Sequence, residues 1–193
     1  MICSLSASHG EAVIVETGTN AGWSTIVMAQ ALKDANVSGF VHTVDIDESN
    51  IASAKKNVEK AGLIEIVKFY NENSITFLEK LISGWSHIDF CFLDDLHEYW
   101  HVKKEFSMVY PKIVACNGKV MFDNASYGDV YFAVRYIKKA YPGNVIEFKN
   151  CSWGPPGMMI WQPPMFSNPH TLCKVWLTTA RQNFIMSDSE NDR

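Results

Sequence analysis

The order of apolar runs constrains this chain more than any single residue does. Five times, a short β-branched or aromatic run is followed by a segment with helical spacing. EAVIVET (11–17) precedes TIVMAQALKDA, GFVHTVDID (39–47) precedes SNIASAKKNVEKAG, and IEIVKFYNENS precedes ITFLEKLIS. HIDFCFLDD precedes HEYWHVKKEFSMVYPKIVA, and GKVMFDN precedes DVYFAVRYIKKAY. Alternation of this kind builds a doubly wound, mostly parallel α/β sheet whose first strands are buried on both faces. Ser49 reads as the cap of the second helix, Gly62 as its stop, and Pro111 as the residue near which the fourth helix closes. The rhythm then changes: NVIEFKN and GMMIWQP have no helix between them, which predicts a C-terminal antiparallel hairpin and seven strands in all.

One domain is expected for 193 residues, placed at 1–165; residues 166–193 read as a last helix, TLCKVWLTTARQNFIM, and a disordered polar tail. The formal charge of −4 and the lack of a dense Lys/Arg run argue against a nucleic-acid or anionic-membrane partner and for a small molecule. The five cysteines are scattered without C-x-x-C spacing, so neither a disulfide framework nor a zinc knuckle is indicated. No run reaches the ~18 apolar residues of a membrane span, and no charged-then-apolar leader is visible. Cytoplasmic residence is the expectation.

The chemistry-bearing residues cluster at strand ends. VETGTNAGWS carries Glu16, Gly18, Gly22 and Ser24 as E-x-G-x-x-x-G-x-S. Gly18 permits a sharp turn and the approach of a ligand to the backbone, while a dinucleotide fingerprint would need a further glycine to cradle a pyrophosphate. A phosphate-free nucleoside with an amino-acid tail fits better. Asp45, ending the second strand, can accept hydrogen bonds from both ribose hydroxyls, and Asp47 beside it reads as a turn or helix-entry residue. Ser74 in NENS would border the base. FLDD and FDN bring Asp94, Asp123 and Asn124 to one sheet edge, an oxygen-ligand set suited to Mg²⁺, with Asp95 as a structural spare. CSWGPPG, Tyr127 and Trp161 are placed near the pocket mouth as an aromatic wall.

Within the fourth unit, HEYWH (97–101) matches the H-E-x-x-H pattern of zinc peptidases. However, His97 follows a buried strand directly and falls in the first turn of its helix, and Lys104 and Ser107 stand where the longer form needs glycine and histidine.

With these residues assembled, the chain resembles the class I, Rossmann-like S-adenosylmethionine-dependent methyltransferases, and within them the Mg²⁺-dependent O-methyltransferases that include catechol O-methyltransferase. The likeness runs from about Ala12 to Trp161 and rests on VETGTNAGWSTIVMAQAL, HTVDID, FLDD and FDNA in that order. LDDLHEYWHVKKEF is also similar to the D-x-D-H-x-Y-x-x-V pattern of sugar O-methyltransferases and cephalosporin-hydroxylase-like proteins, with Leu96 in place of the second aspartate. The resemblance implies a cofactor site of Glu16, Gly18, Thr19, Asn20, Gly22, Ser24, Asp45, Ile46, Ser74 and Asp94, and a Mg²⁺ site of Asp94, Asp123 and Asn124. It places His97 where the catechol enzyme has a catalytic lysine, three residues past the first metal-binding aspartate, and so makes it the candidate base. His101 and Glu98 fall to the helix surface.

The family carries helices ahead of the first strand that cover the cofactor. Here only about ten residues precede it, so the chain is expected to be a fragment, or to be closed by its C-terminal segment or by a partner, which admits a homo-oligomer. The expected reaction is in-line methyl transfer to a hydroxyl of a small molecule, assisted by Mg²⁺. The alternatives are a cofactor-binding pseudoenzyme or subunit of a larger methyltransferase, an NAD-dependent oxidoreductase and, remotely, the zinc peptidase.

Overall fold

The computed structural model describes residues 10–126, 128–148 and 157–164. Strands and helices alternate as β1 (Ala12–Thr17), α1 (Trp23–Asp34), β2 (Gly39–Asp45), α2 (Glu48–Lys60), β3 (Val67–Asn71), α3 (Ser74–Leu81), β4 (Phe90–Leu93), α4 (Tyr99–Cys116), β5 (Lys119–Phe122) and α5 (Gly128–Ala140). The hairpin β6 (Asn144–Phe148) and β7 (Met158–Gln162) follows. All seven strands lie in one sheet of order β3-β2-β1-β4-β5-β7-β6. The pairs among β1 to β5 are parallel, and β7 runs antiparallel to both β5 and β6. The expected doubly wound sheet and terminal hairpin are both present, with β7 inserted beside β5 and β6 left outermost.

Helices cover both faces because the central strands are apolar on both. β4 is buried at every position, and β1 at all but Val13. On one side Met28, Ala29 and Leu32 of α1 and Val58 of α2 pack on Ile14, Val41 and Phe92. On the other, Phe77 and Leu78 of α3, Phe106 and Ile113 of α4, and Ala133 and Ile137 of α5 pack on Val15, Cys91 and Phe122.

Register carries the sheet into the site. Thr17 pairs with Val44 and with Leu93, and Leu93 pairs with Phe122. The next residue of each strand therefore forms a row beyond the carboxyl edge: Asp45, Gly18, Asp94 and Asp123. The strand order reverses between β1 and β4, the switch point where open α/β sheets bind ligands.

Three boundaries differ from the sequence reading. The cap of α2 is Asp47, whose Oδ1 accepts from the Ser49 amide at 2.8 Å and the Ser49 hydroxyl at 2.7 Å; the extended backbone at Asp47 lets its side chain fold back as Ser49, already helical, cannot. Helix α4 starts at Tyr99, so His97 and Glu98 precede it, and it runs through Pro111 to Cys116. An internal proline costs about 3 kcal/mol. Burial of Ile113 and Val114 beyond it returns about 1.5–3 kcal/mol each, and left-handed Asn117 (φ 58°) then closes the helix, with the Gly118 amide donating to the Ile113 carbonyl at 2.8 Å. The third strand is also shorter than read, because Ile64–Ile66 forms a 3-10 turn.

Trp161 is not at a pocket mouth. It is fully buried, with its ring 5.1 Å from Phe106 and 5.5 Å from Tyr110. Strand alternation in β7 turns it toward α4. Tyr127, CSWGPP and the expected last helix and tail (166–193) lie outside the described residues. No helix among the described residues is long and apolar enough to cross a membrane.

Trp161→Ala should lower the unfolding free energy by about 3–5 kcal/mol, read from urea denaturation. A wall residue at an open pocket would cost under about 1 kcal/mol.

Candidate active site

The turn after β1 is held from below. Glu16 is fully buried, and its Oε2 accepts from Thr25 Oγ1 of α1 at 2.5 Å and Thr43 Oγ1 of β2 at 2.6 Å. Thr43 is in contact with Thr19 Oγ1 at 2.6 Å, and since its proton goes to Glu16, Thr19 is the donor there. Burial pushes the Glu16 carboxyl above its ordinary range, against the hydroxyls of Ser24, Thr25 and Thr43, which pull it down. Its Oε1 and Thr17 Oγ1 are buried without a hydrogen bond. Glu16, read from sequence as lining the crevice, supports the turn from beneath.

Gly18 has φ +85°, and a Cβ there would come within 2.1 Å of the Asp94 carbonyl oxygen. The β4–α4 loop thus packs directly against this glycine. Gly22 (φ +81°) caps α1, and a Cβ there would meet Ala54 of α2 at 2.9 Å. Asn57 of α2 donates to the Ala21 carbonyl at 2.9 Å. The turn is therefore gripped by both neighbouring helices and by the adjacent loop.

Asp45 sits at the end of β2 with its carboxylate oriented by backbone. The Asn20 amide donates to Oδ2 at 2.8 Å and the Asp47 amide to Oδ1 at 2.9 Å, with Asn50 Nδ2 farther, at 3.2 and 3.3 Å. Beside it Ile46 is 68% exposed, an apolar surface at the crevice rim. Asn71 Nδ2 donates to the Asp45 and Ile46 carbonyls at 3.0 and 3.1 Å, fixing the strand end.

On the β4–β5 side, Asp94, His97 and Asp123 bring ligand atoms within 4.8 Å of one another. His97 Nε2 lies 3.3 Å from Asp94 Oδ1 and 2.9 Å from the Asn124 amide. Asn124 takes a left-handed backbone (φ 51°), which turns its side chain back over the strand end. Burial, and then the facing Asp123 carboxylate, push Asp94 up to about 8. Two carboxylates this close disfavour joint ionisation, the electrostatic condition that a bound divalent cation relieves. The sequence-predicted metal residues are therefore brought together, with His97 among them.

The two histidines of HEYWH part company. His97 belongs to the Asp94–Asp123 cluster, whereas His101, on α4, has its Nε2 3.0 Å from Ser74 Oγ and 3.3 Å from both Asp95 Oδ2 and Glu105 Oε1. They share neither a helix face nor a metal position, so the peptidase geometry is absent. His101 is not a surface residue either: its side chain is 11% exposed. The facing carboxylates of Asp95 and then Glu105 raise it to about 10. Glu105 was missed by sequence reasoning, although its i+4 spacing from His101 on an amphipathic helix was the available signal. Glu98 is exposed, as expected.

A methyltransferase-domain family model matches residues 15–125. The chain is similar to a catechol O-methyltransferase of Niastella koreensis, at 34% identity over 132 residues; the match covers 64% of this chain and only 58% of that protein's length. Among solved structures, it is similar to the O-methyltransferase TomG of Streptomyces achromogenes in complex with SAM (TM-score 0.60, 20% identity, 78% of this chain and 72% of that one). It is also similar to an O-methyltransferase of Bacillus cereus in complex with SAH (TM-score 0.61, 20% identity, 83% and 78%). At such identities the structural likeness shows a shared fold.

Because Asp94 is raised from 3.8 to about 8 in the fold, the metal-free folded protein keeps a proton there that the unfolded chain has released. Its contribution to stability therefore falls as pH rises across that interval. The unfolding free energy of Asp94→Asn should gain on that of wild type between pH about 4 and about 8, measured by urea titration without metal. Parallel curves would contradict the assignment.

Proposed function

Because the chain belongs to the methyltransferase domain family, we propose that it moves a methyl group from S-adenosylmethionine to a hydroxyl of a small molecule with the assistance of Mg²⁺. The observation that carries this reading is the row Asp45, Gly18, Asp94, Asp123 along one edge of the sheet, fixed by strand register. It joins the glycine turn to the carboxylate cluster through a single residue, Asp94.

The donor set fits both groups. Asp45 presents its carboxylate beside the turn, and Glu16 Oε1 is an unpaired buried acceptor beneath it; acceptors without a cationic side chain suit a ligand carrying ammonium and sulfonium charge and oppose a pyrophosphate. Asp45 presents its carboxylate for ribose hydroxyls, which would compete with the long Asn50 contacts. Ile46 offers an apolar flank for a base. Asp94, Asp123 and Asn124 supply the oxygen ligands that Mg²⁺ prefers, Asn124 through its amide oxygen.

When bound, S-adenosylmethionine supplies an electrophilic methyl group and Mg²⁺ a Lewis acid that eases loss of the hydroxyl proton. The chain's own part is orientation and proton handling. Asp94, Asp123 and Asn124 would hold the metal that places the hydroxyl, and His97 Nε2, on the exposed side of the cluster, would accept its proton. Asp94 Oδ1, 3.3 Å away, stabilises the imidazolium so formed. Holding the hydroxyl oxygen in line with a bound cofactor's methyl group would take several kcal/mol off the barrier.

Calorimetry of the full chain with S-adenosylhomocysteine and Mg²⁺ should show saturable binding of both, and absence of nucleoside binding would sink the reading. His97→Ala should lower kcat by about 10²–10⁴-fold with the S-adenosylhomocysteine affinity unchanged. A loss of Mg²⁺ affinity in place of turnover would make His97 a ligand and not the base.

A further inference from the structure

We propose that His101 is a positioning residue: it clamps the β3–α3 loop, the β4–α4 loop and helix α4 together beneath the crevice, so that Ser74 and Asp94 keep their places relative to one another. The inference rests on the methyltransferase reading above, since it concerns the geometry of that site. It starts from one atom. His101 Nε2 lies within 3.3 Å of three oxygens from three segments: Ser74 Oγ at the head of α3, Asp95 Oδ2 beside Asp94, and Glu105 Oε1 one turn along α4.

Two of these oxygens belong to buried residues. Ser74 is 2% exposed and Glu105 1%, and Glu105 Oε1 accepts no hydrogen bond. A single N–H cannot point along three directions, so the group holds its partners as a charge, with one in-line bond to Ser74. A neutral ring would leave two carboxylates facing each other, one of them buried, with no balancing charge. The raised titration of His101, to about 10, agrees with a permanently cationic ring here.

The clamp acts on the crevice through short, stiff links. Asp95 follows Asp94, whose carbonyl lies against the Gly18 backbone, and the Asp94 amide donates to the Thr17 carbonyl at 3.0 Å. Fixing Asp95 therefore fixes the side of the glycine turn and the base of the carboxylate cluster together. Fixing Ser74 sets the opposite wall. His101 lies outside the Asp94–His97–Asp123 cluster, so its effect passes through these neighbours.

A charge-balancing role and a positioning role separate in one double variant. His101→Leu with Glu105→Gln removes one cation and one buried anion and leaves only Asp95, which is partly solvated, so stability is restored but the ties to Ser74 and Asp95 are not. Thermal unfolding of the full chain should stay close to wild type, while the S-adenosylhomocysteine dissociation constant from calorimetry should rise about tenfold or more. A value within about twofold of wild type overturns the proposal. Wild-type protein that binds no S-adenosylhomocysteine instead removes the methyltransferase reading and the clamp with it, so the two failures are told apart. If the double variant does not fold, His101→Gln, which keeps a donor and drops the charge, should weaken binding about threefold or more, and unchanged affinity again overturns the clamp.

Discussion

The close approach of Gly18 to the Asp94 carbonyl is the contact on which the rest of the site depends. A methyl group at Gly18 would occupy the space of that carbonyl, and the positive φ would strain any other residue by about 1–3 kcal/mol. The backbone of Asp94 packs on the glycine turn while its side chain faces Asp123 and His97. One residue thus sets the distance between the two halves of the site, and neither half can shift without the other.

Around that contact the fold concentrates acidic side chains. Asp45, Asp94 and Asp123 lie along one sheet edge with Glu16 buried behind them in β1, in a chain whose formal charge is only −4. Desolvation opposes such an arrangement. The fold answers it locally, with threonine hydroxyls on Glu16, backbone amides on Asp45, and an imidazole against Asp95 and Glu105. At Asp94, burial and the facing Asp123 carboxylate instead raise the titration to about 8, the kind of perturbation that clusters at functional sites.

The sheet and its edge were legible because both follow from short-range chemistry. Apolar runs ending in Asp45, Asp94 and Asp123 announce strands whose last side chains emerge at one edge, and parallel register does the rest. What could not be read depends on contacts between segments distant in sequence. The partner of Gly18 is 76 positions away at Asp94; Pro111 sits inside α4 because Ile113 and Val114 find a core beyond it; Trp161 looks like a pocket aromatic until β7 is known to lie against β5. His101 shows the limit most clearly. Its motif drew attention to His97 and to zinc, and only the fold shows that Asp95, Ser74 and Glu105 converge on it.

The placement of β7 has a consequence for synthesis. A chain leaving the ribosome N-terminus first completes β1 to β5 in sequence order, yet the free edge of β5 is paired by β7 and not by β6. The gap from Phe122 to Gln162 corresponds to roughly 2–8 s at ordinary elongation rates. During that time β5 presents unpaired amides and carbonyls, and the aromatic pocket of Phe106 and Tyr110 lacks Trp161. An exposed strand edge of this kind invites pairing with other nascent chains. The interval before β7 emerges is therefore when this protein is most open to aggregation and most in need of a chaperone.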